Sequence, residues 1–385
     1  METDQLMEED LKAESLKENY NTNYLTHNFH SYPAKFIPKV PRETILSFTK
    51  EGDTILDPFC GSGTALVEAK LLNRGAIGID LNPVAVLVSK AKTTKLDLHE
   101  IGQTLQTVSE IKKRINEYYS SGHISDDVVT PDFSNIEHWF QPDVITELAI
   151  MKCCIQKVKD ENLRNYLYTA FSSIIVNVSN QESDTRFAAI NKEVKQLSPF
   201  YEFKKKIHNM NKRMLEFSMT ASDSQVSVYL ADSTNLSFIG DNTIDHIVTS
   251  PPYANTYDYY LYHKFRILWL DHQVKDFQCK EIGSRNRHSS KKEDISTFRN
   301  SLFSCFKEMN RVLKPNKTAV VVIGDSVIRG ELIRANELIK NISVETNFEV
   351  FKEKSYPLRK ISKMFNPKFA NKNKLEHVIF LRNLK

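Results

Sequence analysis

Residues 54–80 read TILDPFCGSGTALVEAKLLNRGAIGID, and this stretch decides the fold. Thr54 to Asp57 is a short apolar run that ends in a turn holding Gly61 and Gly63. Behind the turn, Ala65, Leu66, Ala69 and Leu72 recur at the spacing of one buried helical face. Ala76 to Ile79 (AIGI) forms a second buried run and ends in Asp80. Strand, helix and strand in such quick succession make a βαβ unit with a right-handed crossover.

Working outward, Val226 to Leu230 (VSVYL) is a third strand, ending in Ala231-Asp232. Ile244 to Val248 (IDHIV) is a fourth and runs into Thr249-Ser250-Pro251-Pro252-Tyr253. Thr318 to Ile323 (TAVVVI) is a fifth, preceded by a helix around Phe298 to Val312. Phe348 to Lys352 and His377 to Leu381 read as a closing antiparallel pair. Seven strands with interleaved helices describe an α/β fold, a doubly wound and mostly parallel sheet. Between the second and third strands the chain reads as helices. Ile101, Leu105, Val108, Ile111 and Ile115 recur every three to four positions, and Leu163 to Val178 is another apolar-rich segment. The expected organisation is a mobile acidic tail at 1–25, one α/β domain from 26–96 and 224–385, and a helical insertion at 97–223.

Hydrophobic residues make up 41% and charged residues 26%, an ordinary globular balance. No apolar run approaches membrane-spanning length. The first twenty residues hold seven acids and two lysines, unlike a secretion or organelle-targeting peptide. Five cysteines without a C-x-x-C pair fit a reducing cytoplasm and no structural zinc, and the histidines show no metal-ligand spacing, so no metal is expected. Net charge is only +4, but Lys264 to Lys292 carries eight basic residues against three acids, and Val350 to Lys374 eight against one. Such clusters suit phosphate contacts, although a solvated loop explains either one alone.

The chemistry concentrates in two turns. In Asp57-Pro58-Phe59-Cys60-Gly61-Ser62-Gly63-Thr64 the glycines let the backbone pass close under a ligand. A dinucleotide fingerprint needs a third glycine where Leu66 stands, and no G-x-x-x-x-G-K run exists for phosphates. The turn therefore suits a phosphate-free ligand such as S-adenosylmethionine. Asp80, 17 residues beyond Gly63, can accept both ribose hydroxyls, or cap the helix that Asn82-Pro83 begins. Asp232 can accept from the adenine amine, again with capping as its competitor.

Ser250-Pro251-Pro252-Tyr253 decides the class. Paired prolines at the carboxyl end of a central strand stiffen the turn where α/β sheets bind ligands. The Ser250 hydroxyl and Pro251 carbonyl can accept hydrogen bonds from a base amine, drawing its lone pair toward a sulfonium methyl group. Tyr253 can stack on an extruded base. With these motifs the chain resembles the DNA amino-methyltransferases, which methylate cytosine N4 or adenine N6. His30-Ser31-Tyr32-Pro33-Ala34-Lys35-Phe36 resembles the family motif that closes over the methionine end of the cofactor.

The resemblance implies a Rossmann-like class I methyltransferase fold and S-adenosylmethionine as cofactor. Its cofactor residues would be Lys35, Phe36, Asp57, Phe59, Gly61, Ser62, Gly63, Thr64, Asp80 and Asp232. Its catalytic residues would be Ser250, Pro251, Pro252 and Tyr253, with serine at the first position more usual for cytosine N4. Double-stranded DNA is the expected partner, with a cognate restriction endonuclease beside it. Arg285, Arg287, Lys291 and Lys292 are the expected DNA contacts. His138-Trp139-Phe140 reads as core packing, as do most of Tyr257, Tyr259, Tyr260 and Tyr262, some of which can line the pocket. No Pro-Cys dipeptide occurs, against a cytosine-C5 enzyme. Three alternatives stay open: an adenine-N6 enzyme, a tRNA guanine-N2 methyltransferase, and a catalytically silent nucleic-acid-binding subunit.

Overall fold

The computed structural model describes residues 22–290, 293–357 and 373–385. Most of the expected mobile tail lies outside these residues. Its last part is tied down, because the Arg213 guanidinium donates to the carbonyls of Asn23 and Leu25.

Seven strands form the main sheet: β1 (Thr54–Asp57), β2 (Gly75–Asp80), β3 (Val226–Leu230), β4 (Ile244–Thr249), β5 (Leu313–Gly324), β6 (Phe348–Pro357) and β7 (Leu375–Asn383). Their spatial order is β6-β7-β5-β4-β1-β2-β3. All run parallel except β7, which is antiparallel to both β5 and β6. From β1 the chain winds outward through β2 to β3, then crosses back to place β4 on the other side of β1. That reversal opens a crevice at the carboxyl ends of β1 and β4, the usual ligand position of an open α/β sheet. β4 is buried at all six positions, as a central parallel strand covered on both faces must be.

Nine longer helices cover the sheet and extend it: α1 (Lys39–Phe48), α2 (Thr64–Leu71), α3 (Pro83–Thr93), α4 (Leu98–Ser121), α5 (Pro142–Gln156), α6 (Glu161–Ile174), α7 (Ser198–Thr220), α8 (Ile295–Val312) and α9 (Ala335–Glu345). None of the described helices is long and apolar enough to cross a membrane. α4 starts on a reciprocal cap between Asp97 and Glu100. Helices α4 to α7 build a core of their own around residues such as Ile111, Leu148, Phe171 and Phe203. The same core takes in Phe29 and Val67 from the sheet region, so the bundle is fused to the sheet. The predicted stripe of α4 needs one correction. Leu105 is exposed, and Thr104 takes the inward position, where its hydroxyl accepts from the Asn211 amide at 2.9 Å. His138-Trp139-Phe140 does pack: Phe140 is fully buried, and the Trp139 ring lies 4.8 Å from both Phe187 and Phe265.

Gly78 in β2 permits the close seating of α2 on the sheet. A Cβ there would stand 2.4 Å from Leu66 Cδ1 and 3.1 Å from Cys60 Cβ, both in buried residues. Gly78→Ala is expected to cost about 1–3 kcal/mol by overpacking, read as a lower urea midpoint at unchanged slope.

Candidate functional site

Gly61 and Gly63 both adopt left-handed backbone, with φ of +49° and +76°. At Gly63, which opens α2, a side chain would also collide with Ser89 Oγ at 2.7 Å. The turn is clamped from α3: Ser89 Oγ donates to the Gly61 carbonyl at 2.8 Å, and Lys92 Nζ to the Ser62 carbonyl at 2.8 Å. At its start, the Asp57 carboxylate accepts from Phe59 N at 3.1 Å and from the Thr249 hydroxyl at 2.7 Å. Thr249 ends β4 and Ser250 follows it. One hydrogen bond therefore ties the glycine turn to the Ser-Pro-Pro-Tyr turn.

Asp80 accepts from Gly61 N at 2.9 Å and Asn82 N at 2.8 Å. It is not the helix cap. Asn82 caps α3, accepting from Val84 N at 3.0 Å with Pro83 in the first turn. Asp232 caps no helix either: its carboxylate closes a turn, accepting from Thr234 N at 2.9 Å and the Thr234 hydroxyl at 2.7 Å, and it also faces the cleft. Glu281 accepts from Tyr259 N at 2.7 Å and Tyr260 N at 3.2 Å. Burial raises all three carboxyls: Asp57 to about 7, Asp80 to about 6 and Glu281 to about 8.

One cleft gathers Lys35, Phe36, Asp57, Phe59, Gly61, Ser62, Thr64, Asp80, Asp232, Ser250 and Pro252 from the sequence-derived set. Gly63 and Pro251 stand behind its wall. Tyr253 also stands back, with its hydroxyl donating to Glu376 Oε1 at 2.7 Å and its phenol against the Ser250 side chain. The cleft adds Tyr32, Leu81, Tyr259, Phe277 and Glu281. Tyr32 stacks on His263 at 4.8 Å and is held by the Asn82 amide at 3.3 Å. Of the four tyrosines after the turn, Tyr259 lines the cleft and Tyr260 packs in a satellite core. Glu281 and Phe277 carry no local sequence signal, because only the fold brings them back to the turn.

The expected DNA contacts fare less well. Arg285 is exposed, with its backbone N–H held by the Tyr257 carbonyl at 3.1 Å. Arg287 is engaged within the protein, donating to the Cys279 carbonyl and pairing with Glu293 at 3.9 Å, so it is not a spare surface cation. Lys291 and Lys292 lie outside the described residues.

The sequence matches the DNA methylase family over residues 5–93 and 244–382, more than half of the chain. The chain belongs to that family. Among curated relatives of this DNA methylase, the type II methyltransferase M.MvaI of Kocuria varians is 29% identical over 279 residues, covering 67% of this chain and 60% of that one. M.BsoBI of Geobacillus stearothermophilus is 25% identical, covering 77% of this chain and 64% of that one. M.MjaII of Methanocaldococcus jannaschii is 22% identical, with coverages of 82% and 75%. The chain thus spans under two thirds of the length of the first two.

The cofactor of such methylases is S-adenosylmethionine, and the cleft of this one fits its chemistry. The cofactor carries a sulfonium and an ammonium cation and two ribose hydroxyl donors. Asp57, Asp80 and Glu281 offer acceptors to these donors, and a bound cation would draw off the protons that burial makes them retain. The apolar walls, Phe59, Leu81 and Phe277, suit an adenine ring.

These carboxyls make a pH prediction for the ligand-free DNA methylase. Their folded-state proton affinities exceed the unfolded ones, so the folded state retains protons that the unfolded state has released. Their stabilising effect is full below the ordinary carboxylate range and is lost as pH rises to about 8. Melting temperature is expected to fall across that window, less steeply with S-adenosylmethionine bound. Glu281→Gln is expected to flatten the upper part of the fall in scanning fluorimetry, and an unaltered profile in that variant rejects the assignment.

Proposed function

We propose that this DNA methylase transfers a methyl group from S-adenosylmethionine to the exocyclic amine of a base flipped out of double-stranded DNA. Cytosine N4 is the proposed target, and modification beside a cognate restriction endonuclease the proposed setting. In this reading residues 26–96 and 224–385 are the catalytic domain and residues 97–223 an insertion. The observation that carries the reading is the shared cleft: Ser250 opens onto the same space as Asp57, Asp80 and the glycine turn.

Bound cofactor supplies an electrophilic methyl group. The protein's part is to hold the amine and its lone pair in line, which supplies much of the acceleration through orientation. The Tyr253 hydroxyl is spent on Glu376, and burial keeps it protonated. Its oxygen can therefore accept from Ser250, which lies against it. With its proton occupied, Ser250 Oγ presents lone pairs to the base amine, and the Pro251 carbonyl gives a second acceptor. An amine donating both hydrogens in this way pyramidalises, which withdraws its lone pair from conjugation with the ring and frees it for the methyl group; the nitrogen then loses one proton to solvent. Lys35 and Phe36 would close the methionine end, and Asp80 would take the ribose hydroxyls. Serine in place of a carboxylate at the first position supports cytosine N4, as the family pattern implies.

The test is incubation of purified protein with labelled S-adenosylmethionine and unmethylated genomic DNA, followed by nucleoside mass spectrometry. N4-methylcytosine is the expected product. Ser250→Ala is expected to slow transfer by on the order of 10²–10³, as loss of one preorganised hydrogen-bonding group does, with cofactor affinity retained. N6-methyladenine would overturn the target atom. Label in tRNA alone, or no label with cofactor still bound, would overturn the DNA-methylating activity.

A further inference from the structure

Behind the cofactor turn lies a second charged group that the proposed reaction does not use. Lys35, Lys92 of α3 and Lys206 of α7 stand near one another, and among the described residues none of them pairs with a carboxylate. Each donates to a backbone carbonyl instead: Lys35 to His27 at 2.9 Å, Lys92 to Ser62 at 2.8 Å and Lys206 to Asn28 at 3.3 Å. Burial, and then mutual repulsion, lowers the proton affinity of Lys92 and Lys206, the latter to about 8. Lys92 is fully buried and Lys35 and Lys206 are half-buried, and cations gathered this way without a carboxylate are costly unless an anion meets them.

A polar cleft opens on this group between the segment before Lys35 and helices α6 and α7. Its walls include Asn28, His30, Lys35, Asn177, Lys206 and Asn209. Two acids also line it. Asp184 is taken by the buried Arg266 guanidinium, and Glu202 stands on α7 across from Lys205 and Lys206. The two clefts share only Tyr32 and Lys35, so the His30–Lys35 segment is a wall between them.

We propose that this second cleft is a phosphate subsite, in which Lys206, with Lys35 behind it, holds a backbone phosphate of the DNA strand whose base enters the first cleft. The inference rests on the proposed function, since it takes nucleic acid as the substrate. A flipped base leaves its phosphates outside the base pocket, and a cationic cleft across a thin wall gives one of them a seat. Asn177 and Asn209 add neutral donors, which suit a phosphate oxygen. The cofactor carboxylate is the other anion within chemical reach. Lys206, Asn177 and Asn209 do not face the cofactor cleft, which favours the phosphate. The helices of 97–223 thereby take part in DNA binding through shape and charge, without reading sequence.

The experiment measures binding of a labelled genomic DNA fragment across a salt series, beside S-adenosylmethionine binding by calorimetry, for the wild type, Lys206→Gln and Lys206→Arg. Lys206→Gln is expected to fold, because Lys206 is half-exposed and its removal relieves repulsion with Lys35. Its DNA affinity should fall several-fold, and the slope of log K against log salt should shrink by about 0.9 for one lost phosphate contact. Lys206→Arg should retain the slope, and cofactor affinity should stay constant throughout. An unchanged slope in Lys206→Gln overturns the subsite, and weaker cofactor binding with an unchanged slope reassigns the lysine to the cofactor carboxylate. Wild-type methylation of DNA with an unchanged slope in the variant rejects the subsite alone. A reduced slope without methyl transfer by the wild type rejects the proposed activity and keeps the subsite.

Discussion

The hydrogen bond from the Thr249 hydroxyl to the Asp57 carboxylate holds the candidate site together. It joins the carboxyl ends of β4 and β1, the two strands between which the winding of the sheet reverses. Neither partner is expendable in the argument. Asp57 is buried, so its charge needs donors, and it finds them in Phe59 N of its own turn and Thr249 of the neighbouring strand. The register that pairs Leu56 with Ile247 brings them within reach. A side chain chosen for local charge compensation thus also fixes how the glycine turn stands relative to Ser250, and so where a bound cofactor would meet a base.

Charge is sorted across the site. On the cleft side stand Asp57, Asp80, Glu281 and Asp232; Lys35 sits in the wall between the two clefts, and behind the glycine turn and that wall stand Lys92 and Lys206. The net charge of +4 hides this separation. Asp57, Glu281 and Lys92 are buried at a cost that their own neighbours do not offset in full, which is the expected state of a site whose compensation arrives with its ligands. Pairing the acids with the lysines inside the protein would lower that cost and leave nothing for a cofactor or a strand to complete.

How much of this was legible depended on how local the signal was. β1, the glycine turn, α2 and β2 lie in one unbroken stretch, and periodicity alone places them. Ser250 to Tyr253 was legible for the same reason, since two prolines after a buried run have few other uses. Glu281 was not, because its meaning comes from the backbone amides of Tyr259 and Tyr260 and from Asp80, none of which is marked as its neighbour in the chain. Leu105 misled because a three-to-four spacing fixes a face only to within one residue, and the hydrogen bond of Asn211 to Thr104 settles which residue turns inward. Counting charges along a loop also does not show that Arg287 clasps its own backbone.

The reversed strand β7 shows how topology and chemistry meet. In a parallel sheet only the last residues of each strand reach the ligand edge. β7 runs the other way, so its first residues lie beside the end of β5, with Glu376 paired to Gly324. A residue at the start of a strand is thereby delivered to the edge where Ser250 stands. Glu376 uses that position to accept a hydrogen bond from the Tyr253 hydroxyl at 2.7 Å, while burial raises its own proton affinity. Glu376, Tyr253 and Ser250 thus follow one another from the one strand of the main sheet that runs antiparallel to its neighbours to the turn after β4. In the proposed reaction a serine at the first position lacks the negative charge a carboxylate would bring to the amine, and a hydrogen bond from Ser250 to the Tyr253 oxygen would recover part of that field from a strand whose direction makes it available.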